Sequence, residues 1–137
     1  MIPPPNYDSV IDDINFIFSK CDHLVEWGNR FKFHCTLQTG IQILSKKYGF
    51  NGVSEFTIPD RGDGRAGHID VAWLDGKNNP EIIIEIDGSY REKSIHKLLK
   101  TTSNFKIWVY YGRDSPKMDE FPLGSGIEVI LKRRIPR

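Results

Sequence analysis

The chain has 137 residues, of which 39% are hydrophobic, 12% aromatic and 27% charged, with a formal net charge of +1. That length suits one domain, and that apolar content suits a buried core, so wholesale disorder is excluded. The near-neutral charge does not by itself mark a nucleic-acid binder, and no run approaches the ~18 apolar residues of a membrane span.

Three prolines at 3–5 form a stiff lead-in. Val10, Ile11, Ile14, Ile17 and Phe18 then fall at helical spacing, predicting a helix over 9–20 with Ser9 as its N-cap. A second helix is predicted over 30–48, where Leu37, Ile41, Leu44 and Tyr48 share a face and Gly49 ends it. Gly40, in its middle, weakens that pattern. The period then changes to two. Strands are expected at 53–58, 68–74 and 81–87, with a flexible glycine-rich connector over 61–67 and a turn over 75–80. Ser89 and Glu92 have the spacing of a capping box and predict a third helix with Ile95, Leu98 and Leu99 as its core stripe. Two further strands, 105–111 and 126–131, close the order helix, helix, three strands, helix, two strands.

The chemistry gathers on the second and third strands. If they form a hairpin in which Asp75 faces Pro80, then Asp70 stands opposite Glu85 and His68 opposite Asp87. Alternation then puts His68, Asp70 and Ala72 on one face with Ile83, Glu85 and Asp87, with opposed Cβ atoms ~5 Å apart. Three carboxylates so placed must be solvated, protonated or neutralised by a cation. Oxygen-only donors favour Mg²⁺ or Mn²⁺. Ala72, Leu74 and Ile83 on the same face suggest a helix covering it. The plainer alternative is the solvated polar side of a hairpin.

This organisation, with Asp70 on the second strand and Glu85-Ile-Asp87 on the third, resembles the PD-(D/E)xK nuclease superfamily over roughly residues 30–131. The phrase Ile84-Glu-Ile-Asp-Gly88 is also similar to the branch related to very-short-patch-repair endonucleases, although Tyr90 and Arg91 stand where that branch often has a histidine. The resemblance implies a restriction-endonuclease-like α/β (α+β) core over 30–137, with 1–29 as an N-terminal extension and helix packed on it in a single domain. It implies Mg²⁺-dependent hydrolysis of DNA, with Asp70 and Glu85 as metal ligands. Asp87 takes the place of the motif's lysine, either as an extra ligand or compensated by a base from the next helix. Lys93, four residues before Lys97, is the first candidate for that base, and a solvated helix face is the alternative reading of both. Catalytic candidates are therefore Asp70, Glu85, Asp87 and Lys93. Glu26 would be a further carboxylate, with surface acid as its plainer reading, and His68 would orient water or bond a carboxylate.

Arg61, Arg65, Arg91 and Lys97 are candidate nucleic-acid contacts, and Lys132, Arg133, Arg134 and Arg137 form a basic tail. Residues 1–29 carry five acids against one base, leaving a net +5 for the remainder. Two cysteines are too few for a disulfide scaffold, and the start lacks a basic-then-apolar signal pattern, so a cytoplasmic protein with free thiols is expected. The missing motif lysine keeps a second class of function open. That alternative is a catalytically reduced nucleic-acid-binding module, or a regulatory domain recognising a protein partner or a second copy.

Overall fold

A computed structural model describes residues 5–26, 28–113 and 126–132. Helix α1 (Tyr7–Leu24) and helix α2 (Arg30–Leu44) precede strands β1 (Asn51–Ile58), β2 (Gly67–Leu74) and β3 (Pro80–Asp87). Helix α3 (Glu92–Lys100) and strands β4 (Phe105–Tyr110) and β5 (Ile127–Leu131) follow. The strands form one five-stranded mixed sheet in the order β1-β2-β3-β4-β5. β1, β2 and β3 are antiparallel neighbours, whereas β4 and β5 run parallel to β3. This is the α+β mixed-sheet layout expected, a meander extended by a helical crossover. Among the described residues no helix is long and apolar enough to cross a membrane.

Each sheet face has its own core. Val10, Ile14 and Phe18 of α1 and Phe33, Leu37 and Ile41 of α2 pack on Val71, Trp73, Ile82, Ile84, Ile107 and Val109. Ile95 and Leu98 of α3 pack on Ala72, Leu74, Ile83 and Trp108 of the opposite face. Both faces of the central strands are buried, which is why β3 reads as an almost continuous apolar run. Leu99, expected in the α3 stripe, is partly exposed.

Helix ends differ from expectation in instructive ways. Asn6 caps α1 by accepting from the Ser9 amide, so Ser9 lies inside the first turn and its hydroxyl instead meets Tyr48. The second helix tightens to a 3₁₀ turn over Ser45–Tyr48 before ending at Gly49, whose φ of 81° is the left-handed cap the sequence indicated. Gly40 has a packing reason, because a Cβ there would meet Cγ2 of Ile17 at 2.9 Å, so its absence lets α1 approach α2. The expected capping box does not form. Glu92 is the first residue of α3 and Arg91 is its N-cap without a side-chain bond, so Ser89 falls in the turn leaving β3.

A candidate carboxylate site where the ladder opens

β2 and β3 pair as Val71↔Ile84, Ala72↔Ile83 and Trp73↔Ile82, the register expected for the strand interiors, but an irregularity after Trp73 puts Leu74, not Asp75, opposite Pro80. Beyond Val71 the backbone ladder stops. There Asp70 and Glu85 join the strands through their side chains. The Asp70 amide donates to Oε1 of Glu85 at 2.8 Å, and the Ile86 amide donates to Oδ2 of Asp70 at 2.8 Å. Two carboxylates thus take the places of two carbonyl acceptors.

The irregularity continues into β1. Its pairing with β2 skips one position, between Ser54↔Val71 and Phe56↔Ile69, and the residue omitted opposite Asp70 is Glu55, with φ of 52°. Alternation breaks in both strands at that point. Val53 and Phe56, three apart, lie on the α3 side, as do Ile69 and Ala72. Gln38 of α2 bridges the break, donating to Oε1 of Glu55 at 3.0 Å and to the Asp70 carbonyl at 2.8 Å.

The opening is a cleft of about 550 Å³ lined by residues of α2, β2, β3 and α3, including Asp70, Glu85 and Asp87. His34 of α2 places Nε2 3.9 Å from Oδ1 of Asp70, with Nδ1 3.3 Å from the Tyr111 hydroxyl. On the other wall, Nζ of Lys97 lies 2.9 Å from Oε2 of Glu85 and donates to the His68 carbonyl at 2.9 Å. Glu85 is 1% exposed. Burial, then the negative charge of Asp70, push its carboxyl up to about 8, with Lys97 opposing. Burial raises Asp70 as well, against the Ile86 hydrogen bond and the nearby His34. Two carboxyls this close and this buried resist ionising together, and Lys97 only partly relieves that.

The other expected site residues are distributed unevenly. Asp87 lines the cleft, but its Oδ2 accepts the Trp108 indole N–H at 2.8 Å in the α3-side core. Among the described residues no three His, Cys, Asp or Glu side chains are grouped to hold a metal ion together, and Asp70 and Glu85 lie side by side while Asp87 bonds Trp108. His68 is exposed and its Nδ1 lies 3.4 Å from the Thr57 hydroxyl, not opposite Asp87, because the β2–β3 ladder ends before reaching it. Lys93 is exposed on the cleft wall, and the lysine that reaches Glu85 is Lys97, one turn further on. That displacement follows from the helix starting at Glu92 rather than at Ser89.

Arg61 and Arg91 line the cleft, whereas Arg65 is exposed and is not among the lining residues. Arg61 is bound to Asp63 through Nε and a terminal nitrogen at 2.9–3.1 Å. The connector holding them is closed by its own bonds, with Asp60 accepting from the Gly62 and Gly64 amides. Glu26 is exposed and is not part of the cleft lining. Arg133, Arg134 and Arg137 of the basic tail lie outside the described residues.

Sequence reading missed the contribution of α2. Arg30, His34, Gln38 and Gln42 recur every four residues, and each reaches the sheet end or the cleft, Gln42 through the Gly52 carbonyl. The signal was a polar stripe beside the apolar stripe of Phe33, Leu37 and Ile41.

No family model, no curated protein and no solved structure matches this chain.

Proposed function

We propose that the protein is a Mg²⁺- or Mn²⁺-dependent nuclease that hydrolyses DNA phosphodiesters in the cytoplasm, with Asp70, Glu85 and Lys97 at its centre. The observation that carries this reading is the Asp70–Glu85 pair, juxtaposed where the ladder opens and facing Lys97 across the cleft. Mg²⁺ is commonly bound by one or two carboxylates, with water and substrate phosphate completing its shell, so a pair suits it where a closed protein cage is not needed. Asp70 and Glu85 would hold the ion. When bound, it supplies an activated water and neutralises charge on the phosphate.

The chain's own groups divide the remaining work. Lys97 stands where it can stabilise charge developing on the phosphate, and it provides the positive charge that Asp87 cannot. Asp87, tied to Trp108, fixes the end of β3 against β4 and keeps a third carboxylate at the rim. Arg91 and Lys93 line the same cleft and would meet the backbone of a polyanion. A lysine at Glu85 supports hydrolysis over a purely binding module, whose appeal rested on the lysine missing from position 87.

The test is incubation of the protein with supercoiled plasmid, linear duplex and single strands in Mg²⁺ or Mn²⁺. Cleavage lost on chelation and in Asp70→Asn is expected. All three substrates left intact would overturn the enzyme reading.

A further inference from the structure

Arg30 is the first residue of α2, and its terminal nitrogen donates to the carbonyl of Gly88 at 2.7 Å. We propose that Arg30 is a substrate-binding residue that holds the phosphate next to the scissile one; this rests on the nuclease reading above. Three observations carry it. The guanidinium lines the cleft, and the carbonyl it binds is the first beyond Asp87, at the end of β3 where the carboxylate pair lies. One of its five N–H groups is thereby fixed and orients the rest of the planar fork. No carboxylate pairs with Arg30 among the described residues, whereas Arg61 in the same cleft is bound to Asp63.

The approach is close. A Cβ on Gly88 would stand 2.7 Å from the Arg30 nitrogen and 2.9 Å from the Tyr111 ring. Residue 88 must therefore be small for the arginine to sit there. An exposed arginine held by a neutral carbonyl keeps its full charge for an anion. Arg30 on α2, which packs on one face of the sheet, and Arg91 at the start of α3, which packs on the other, line the same cleft as Asp70 and Glu85 and would meet the polyanion from both helices. The same stripe of α2 carries His34 to Asp70 and Gln38 to the Asp70 carbonyl, so helix, phosphate contact and carboxylate keep one spacing.

Fluorescence anisotropy of a labelled 20-base-pair duplex tests this, in Ca²⁺ and over a salt series, with wild type, Arg30→Gln, Arg30→Lys and Lys46→Gln. Arg30→Gln is expected to weaken binding about tenfold and to lower the salt slope by about 0.9, the value for one lost phosphate contact. Arg30→Lys keeps the charge and should restore the slope but only part of the affinity. Lys46→Gln, exposed on the 3₁₀ turn away from the cleft, should change affinity less than about threefold, as a general surface charge would. If Arg30→Gln melts far below wild type, its slope is read at a temperature where circular dichroism shows it folded, and an unchanged slope there assigns Arg30 to the Gly88 bond alone and overturns the proposal. Wild-type binding with an unchanged slope in Arg30→Gln overturns the assignment and leaves the nuclease reading standing. No duplex binding by the wild type at low salt overturns both.

Discussion

Nζ of Lys97 lies 2.9 Å from Oε2 of Glu85, so the base that faces the third-strand acid comes from the following helix and not from the strand. Lys93 is one turn earlier on α3 and points its charge to solvent at the cleft wall. Lys97→Met should therefore reduce DNA cleavage by about 10²–10³-fold, the loss typical of one electrostatic stabiliser. Lys93→Met should cost far less, through binding alone. Single-turnover rates of the two variants side by side check the order, and equal losses would contradict it.

Divalent cations should stabilise the fold. Binding to the native state alone raises stability by mass action, about 2.7 kcal/mol at a hundredfold excess over the dissociation constant. Asp70→Asn should abolish that gain in Mg²⁺ and Mn²⁺ melting curves. In chelator the same variant should melt no lower than wild type, because burial penalises the Asp70 charge and an amide oxygen can still accept from Ile86. A wild-type curve indifferent to both metals at millimolar concentration would contradict this.

Away from the cleft, Asp13 of α1 accepts from Lys47 at 2.8 Å and from the Tyr48 hydroxyl. Those bonds hold its carboxyl below the ordinary value of 3.8. A depressed carboxylate contributes stability that is present above its unfolded pKa and lost as pH falls through the folded one. Asp13→Asn should thus lower the melting temperature at pH 7, and the gap from wild type should shrink as pH drops below about 4. A gap constant from pH 7 to pH 3 would assign the loss to something other than the charge.

The α1–α2 crossing makes a packing prediction. Gly40→Ala gains helix propensity of about 1 kcal/mol but forces a Cβ to 2.9 Å from Cγ2 of Ile17, a methyl on a stiff branch. Overpacking costs about 1–3 kcal/mol, so a net destabilisation of about 1 kcal/mol is expected. Adding Ile17→Ala should yield a double variant less damaged than the two single losses predict. Denaturant melts of the four proteins give the coupling directly, and strict additivity would place the clash elsewhere.

Much of this arrangement was readable in the sequence because hydrophobic period and turn chemistry agreed. The interior β2–β3 register came out as expected, although Leu74 and not Asp75 faces Pro80, and Ala72, Leu74 and Ile83 correctly announced a helix over that face. What escaped was local and geometric. Nothing in a period-two pattern reveals that Glu55 takes a positive φ, or that alternation breaks beside it and ends the ladder before His68 can oppose Asp87. Ser89 and Glu92 had the right spacing for a cap, yet the chain stays extended through Arg91, whose φ is −135° and ψ 113°. That delay moved the reach of α3 from Lys93 to Lys97. The polar stripe of α2 was present in the sequence and would have pointed to Arg30 and His34, had it been weighed as a face of its own.

The most direct test of the carboxylate pair as a cation centre is diffraction from Mn²⁺-soaked crystals, collected near the manganese absorption edge. The account predicts an anomalous peak about 2.1–2.2 Å from an oxygen of Asp70 and an oxygen of Glu85, with Lys97 beside it. No peak there, with Glu85 still held by Lys97 and the Asp70 amide, would contradict it and leave the carboxylates as structural acceptors.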